Sequence, residues 1–144
     1  MFSKACEYGI KAMIYIADQS LKGNRVKIGD IARHTDSPEA FTSKILSALT
    51  KHDILDSVKG PYGGFSINVQ KMKTLEVSKI VAAIDGDSIY KGCALGLKEC
   101  NNDKPCPLHD KFLKVRNDLK KVLESTTIYD LAIQLKHGNT TLIG

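Results

Sequence analysis

Hydrophobic positions recur at helical spacing from the first residues onward. Tyr8, Ala12, Tyr15 and Ile16, with Ala5 and Met13 beside them, predict a helix from about Ser3 to Gln19, which Leu21-Lys22-Gly23-Asn24 interrupts. Ile28, Ile31 and Ala32 mark a short second helix, closed by the polar stretch His34-Thr35-Asp36-Ser37. Ser37 followed by Pro38 reads as an N-cap with proline at the first helical position. From Pro38 to Lys51, Phe41, Ile45, Ala48 and Leu49 form one apolar stripe, and Ala40, Ser43, Lys44, Ser47 and Lys51 lie opposite it. That second face is small, hydroxylated and basic.

The period then changes. Ile54-Leu55 and Ser57-Val58 predict a short strand, Gly60 to Gly64 a turn, and Phe65-Ser66-Ile67 the returning strand. Val77, Ile80, Val81 and Ile84 place a helix from about Leu75 to Asp85, packed back on the first. Residues 86–105 lack periodicity and contain Gly92, Gly96, Asn101 and Asn102, a loop long enough to suggest a function of its own. Leu108, Phe112, Val115, Leu119 and Val122 then alternate four and three apart, the spacing of a coiled-coil seam. That seam either pairs with a second copy or packs on its own head domain. Thr127, with Asp130 three residues on, caps a last helix through Ile128, Leu131, Ala132 and Leu135, which Gly138 stops.

With 144 residues, 42% of them hydrophobic and 26% charged, the chain can bury one core, and large multi-domain enzymes are excluded. The formal charge of +5 suits a polyanionic partner. The amphipathic start lacks a secretory h-region and no apolar run is long enough to span a membrane, so a cytoplasmic protein with reduced cysteines is expected. Gly60-Pro61-Tyr62-Gly63-Gly64 lacks the strand-to-helix context and Lys-Ser/Thr ending of a phosphate-binding loop. No Cys-x-x-Cys pair or Cys-His-Asn set is evident either, so no enzyme activity is expected.

Helix, short helix, turn, helix and hairpin is the order of a winged helix-turn-helix, in which one helix enters the major groove and the hairpin reaches the adjacent backbone. The expected fold is mainly α with a small β-hairpin wing and a long C-terminal dimerisation helix. The expected parts are a DNA-binding head over residues 1–85, a cysteine loop over 86–106, and the dimerisation and final helices over 107–144. Thr42, Ser43 and Lys44 are the expected helix contacts, with Pro38 at the helix start and Lys59, Gly60 and Tyr62 at the wing.

The chain resembles the Rrf2 family of bacterial transcription regulators over nearly its whole length. The likeness rests on Tyr8-Gly9 with Ala12, Ile28-Gly29-Asp30-Ile31-Ala32, Phe41 with Ile45 and Leu49, and above all the wing run from Ser57 to Phe65. The resemblance implies a homodimer, in the role of a repressor, on a palindromic operator in double-stranded DNA, with Lys59 contacting it from the wing.

Cys93, Cys100 and Cys106 are separated by six and five residues, and His109 follows Cys106 at i+3. A helix starting at Pro107 would place Cys106 and His109 on about the same turn, and its N-terminus would favour thiolates. Three thiolates and an imidazole suit either Zn²⁺ or an iron-sulfur cluster. The family resemblance implies the cluster, 2Fe-2S ahead of 4Fe-4S, with His109 as the fourth ligand and Glu7 of the partner chain as the alternative. Two other readings remain at this point: a cluster-free regulator sensing through thiols or a partner protein, and a zinc-stabilised protein-interaction module. Cys6, His34, His52 and His137 lack companion ligands and are expected in structural roles.

Overall fold

The computed structural model describes residues 2–93, 95–98 and 103–144. Its central element is α1 (Lys4–Leu21), started by the Ser3 hydroxyl, which accepts the Cys6 N–H at 3.0 Å. Cys6, Gly9, Ala12, Met13, Ile16 and Ala17 are all buried along it, and helices pack against it on several sides. Gly9 is where α5 (Val77–Asp85) comes closest, since a Cβ there would collide with the Ile84 side chain. Burial pushes the Cys6 thiol up to about 12, with the Asp85 and Glu7 carboxylates adding to the effect. Cys6 is therefore a core residue.

α2 (Ile28–Thr35) ends where Asp36 turns left-handed at φ 49°, and the Lys11 ammonium donates to the Thr35 carbonyl at 2.8 Å. α3 (Glu39–Lys51) has Pro38 as its N-cap, so the proline stands one position earlier than expected. The Ser37 hydroxyl turns back to the Thr35 carbonyl instead of capping α3. The buried face of α3 is Thr42, Ile45, Leu46 and Leu49, rotated from the expected stripe, and Phe41 is 39% exposed. The rotation is tolerated because the Thr42 hydroxyl donates to the Pro38 carbonyl at 2.7 Å, which satisfies it within the helix. Phe41 packs edge-on against Tyr8, ring centroids 5.6 Å apart.

The wing is an antiparallel pair, β1 (Asp56–Val58) and β2 (Gly64–Ser66), in the register Ser57 opposite Phe65. Ile54 and Leu55, expected to begin the first strand, are drawn into the core. Val26 and Phe65 exchange backbone hydrogen bonds of 3.1 and 2.7 Å, tying the wing to the segment before α2. α4 (Val69–Thr74) follows, capped by Asn68, whose side-chain oxygen accepts the Gln70 N–H. Its six residues bury only Met72, too short a run to leave a periodic signal in the sequence.

α6 (Ser88–Lys91) is a single turn inside the stretch expected to be irregular. α7 (His109–Ser125) starts two residues later than Pro107 and buries His109, Arg116 and Leu123, seven apart. The Arg116 guanidinium donates to the Tyr90 carbonyl at 2.9 Å. α8 (Ile128–Lys136) opens on the expected capping box: Asp130 N–H to the Thr127 hydroxyl, and Thr127 N–H to the Asp130 carboxylate. Val77 N–H donates to the Thr126 carbonyl and Ile128 N–H to Leu75, so the chain's last helix is stitched to the head. Ile128 and Ala132 share the core with Ile16 and Met13. No described helix is long and apolar enough to cross a membrane.

The wing depends on Gly64, which sits at φ 142° with its missing Cβ 2.6 Å from the Val26 carbonyl oxygen. Gly64→Ala meets both backbone strain and a backbone clash. The amide protons of Val26 and Phe65 should then lose their protection in hydrogen exchange, while those in α1 keep theirs.

Candidate nucleic-acid interface and cysteine site

Ala40, Ser43, Lys44, Ser47 and Lys51 all stand on the exposed side of α3, as their spacing predicts. Pro38 is exposed at its start. Thr42 is the exception among the expected contacts: wholly buried, its hydroxyl bonded to Pro38, it is not accessible to a partner. The α3 N-terminus carries no side-chain cap, which leaves its first N–H groups available to an oxyanion. Phe41 joins this surface, and its neighbour Tyr8, remote in sequence, is why its exposure was not legible from the stripe.

At the wing tip, the Gly63 N–H donates to the Gly60 carbonyl at 3.0 Å and Gly60 takes φ 103°. A Cβ on Gly63 would collide with the Val58 carbonyl. This tight turn projects Lys59, Gly60 and Tyr62 into solvent, Tyr62 at 93% exposure. Among the described residues neither Lys44 nor Lys59 is held in an ion pair. Uncommitted ammonium groups on a helix face and a glycine-rich tip are the groups that replace counterions along a phosphate backbone.

Cys93 follows α6 and Cys106 precedes α7, and both are half-buried. The Cys93 thiol is held below its ordinary range by the N–H groups of Leu95 and Leu97, with burial opposing; the Cys106 thiol and the Gly96 N–H add smaller contributions. The Cys106 carbonyl accepts the His109 N–H at 2.9 Å, and His109 is buried at the head of α7. Cys100 lies outside the described residues. Among those described, no three His, Cys, Asp or Glu side chains converge on one centre. Glu7 lies in the first turn of α1, paired with Lys4 at 3.1 Å. A cavity of about 370 Å³ opens beside Cys93, walled by Phe112, Val115, Arg116 and Leu119 of α7.

The remaining histidines hold structural positions. His34 and His52 each direct Nδ1 at a carbonyl four residues back, Asp30 and Ala48, at 2.8 Å. A carbonyl only accepts, so Nδ1 is the donor in both. His34 also stacks on Tyr15 at 4.7 Å, and His137 forms the C-cap of α8.

The family model described as "Rrf2: Iron-dependent Transcriptional regulator" matches residues 2–134. A protein of Aquifex aeolicus named as an HTH-type transcriptional regulator is 32% identical over 141 residues, covering 95% of each chain. The regulator IscR of Vibrio vulnificus is 24% identical over 124 residues, 86% of this chain and 72% of its own. Among solved structures, CymR of B. subtilis, titled the global cysteine regulator of that organism, superposes with a TM-score of 0.73 at 22% identity, covering 93% of this chain and 97% of its own. The T. potens IscR structure gives 0.73 at 20%, covering 98% and 92%. These structures share the winged-helix fold described above. The relatives are transcription regulators rather than enzymes, and they favour that class over an interaction module that binds no DNA. The chain belongs to the Rrf2 family of transcriptional regulators.

Proposed function

We propose that this regulator acts as a homodimeric repressor on a palindromic operator in double-stranded DNA, and that its cysteine site controls the binding. The observation that carries the DNA-binding part is the pairing of an uncapped, basic α3 face with a wing tip whose Lys59 is uncommitted and whose Tyr62 is almost fully exposed. Pro38, Ser43 and Lys44 reach the groove and its edge, and Lys59, Gly60 and Tyr62 reach the neighbouring backbone. Thr42 plays no part in these contacts.

Dimerisation is supported by the outer side of α7. Leu108, Val115 and Val122, seven apart, are exposed, and Phe112 and Leu119 between them are half-buried. His109, Arg116 and Leu123 are already buried within the chain's own fold, so a seam left facing outward suits a second copy. Residues 1–85 serve as the head in this reading, 86–106 as the ligand loop, and 107–144 as the dimer helix with the final helix.

The donor set fits an iron-sulfur cluster in its chemistry. Two half-buried thiols, Cys93 after α6 and Cys106 before α7, stand with a buried histidine at the start of α7, and backbone N–H groups favour the Cys93 thiolate. Cys93, Cys100, Cys106 and His109 would hold it, 2Fe-2S before 4Fe-4S, with Glu7 of a partner chain as the alternative fourth ligand. When bound, such a cluster supplies a redox-sensitive crosslink between the loop and α7. The chain's own contribution is mechanical: α6 leans on α7, so its placement would set how α7 meets its counterpart and hence how far apart two α3 helices sit. The Cys93 thiol, half-buried and held below its ordinary range by backbone N–H groups, also favours a second reading, in which Cys93 and Cys106 sense oxidants without a cluster.

Three measurements test this. Lys59→Ala should weaken binding to duplexes recovered from genomic pull-down and reduce the slope of log affinity against log salt by about 1, read by fluorescence anisotropy. An unchanged slope would remove Lys59 from the interface. Protein purified without oxygen should be coloured and contain iron and sulfide, and Cys106→Ala should lose both; a colourless wild-type protein that forms a Cys93–Cys106 disulfide would favour thiol sensing instead. Val122→Glu should convert a dimer to a monomer in light scattering, because it buries a charge in the seam.

A further inference from the structure

A groove of about 460 Å³ runs between the end of α3 and the α4–α5 corner, away from the cysteine loop. Its shape follows from three local features. At the end of α3, Asp53 adopts φ 57°, which reverses the chain so that Ile54 drops into the core and its N–H donates to the Leu49 carbonyl at 3.0 Å. Along α5, Lys79, Ala82 and Ala83 share one face at i, i+3 and i+4, and the two alanines leave the space above them open. α4 repeats the arrangement with Lys71, then Thr74, running into Leu75 just past its end.

The chemistry of the groove is two-sided. Its floor is apolar, built from the buried Ile54 and Leu75 with the alanines beside them. Its rim is cationic: Lys71 and Lys79 face a single carboxylate, Asp53, and among the described residues neither lysine is held in an ion pair. His52 stands at the same corner with Nδ1 committed to Ala48, which leaves Nε2 for a ligand. The size falls within the roughly 300–1,000 Å³ typical of small-molecule sites, which combine apolar walls with a few placed polar groups.

We propose that this groove binds a small amphipathic anion, a carboxylate, sulfonate or phosphate carried on an apolar body. The head group lies between Lys71 and Lys79, and the apolar body covers Ile54, Leu75 and Ala82. A purely inorganic anion would leave the floor wet, and a neutral apolar molecule would leave the two ammonium groups unmatched. The groove joins the last turn of α3 to the segment that enters the wing, so an occupant would tie the two together. That consequence rests on the DNA-binding reading, whereas occupancy itself does not.

The test uses anilinonaphthalene sulfonate, an apolar fluorophore with one anionic group, titrated into the full-length native protein without DNA. A single saturable site per chain with blue-shifted emission is expected. Ala82→Phe, at an exposed helical position, should abolish it by filling the trough. The double variant Lys71→Glu with Lys79→Glu should weaken it by at least about tenfold, with circular dichroism unchanged. Phenylnaphthylamine, which lacks the sulfonate, should bind at least about tenfold more weakly to the wild type. Absence of saturable binding to native protein, or binding that survives both variants because the dye sits on the apolar side of α7, would overturn the proposal.

Discussion

Enclosure of α1 is the constraint from which the remainder of this structure follows. A helix that buries Cys6, Ala12, Met13, Ile16 and Ala17 must have neighbours around most of its girth, and neighbours close in sequence can cover only part of it. α2 and α3 cover one part, α5 another, and α8, returning from the far end of the chain, a third. Gly9 allows α5 to approach without a side chain in the way. The backbone bonds between Leu75, Val77 and residues 126–128 hold the returning segment at that position. The core under the head is therefore completed by residues that stand last in the sequence.

That enclosure also decides how α3 is presented. Its inner face is set by contact with α1, α2 and α5, and Thr42 turns inward because its hydroxyl finds a partner within its own helix. The outer face, with Ser43, Lys44 and Ser47, is what remains. The wing is anchored independently through Val26 and Phe65, so the two basic surfaces are held by separate backbone contacts on one core. A rigid head that carries two such surfaces suits recognition of a regular polyanion.

α7 links this head to whatever lies beside it. One side, His109, Arg116 and Leu123, is buried, and the outer side carries the exposed Leu108, Val115 and Val122. Along the chain, Cys93 follows α6 and Cys106 precedes α7, so both thiols stand between the short helix and the long one. The groove at the α3 corner lies elsewhere, where α3 gives way to the wing.

Local signals in the sequence were enough for α1, α2, α3, the hairpin, α5, α7 and α8, because each has a periodicity, a cap or a turn residue that works over a few positions. Thr127 with Asp130 and the glycines of the wing are of this kind, as is the hydroxylated and basic face of α3. α4 and α6 were not legible: a helix of six residues or four has too few turns to show a period. The inward turn of Thr42 and the exposure of Phe41 also came only with the tertiary structure, since the rotation of α3 depends on Tyr8 and on the helices beneath it. The open groove under Lys71 and Lys79 has the same origin. Periodicity reports which residues share a face, but which face a helix presents is decided by what packs against it.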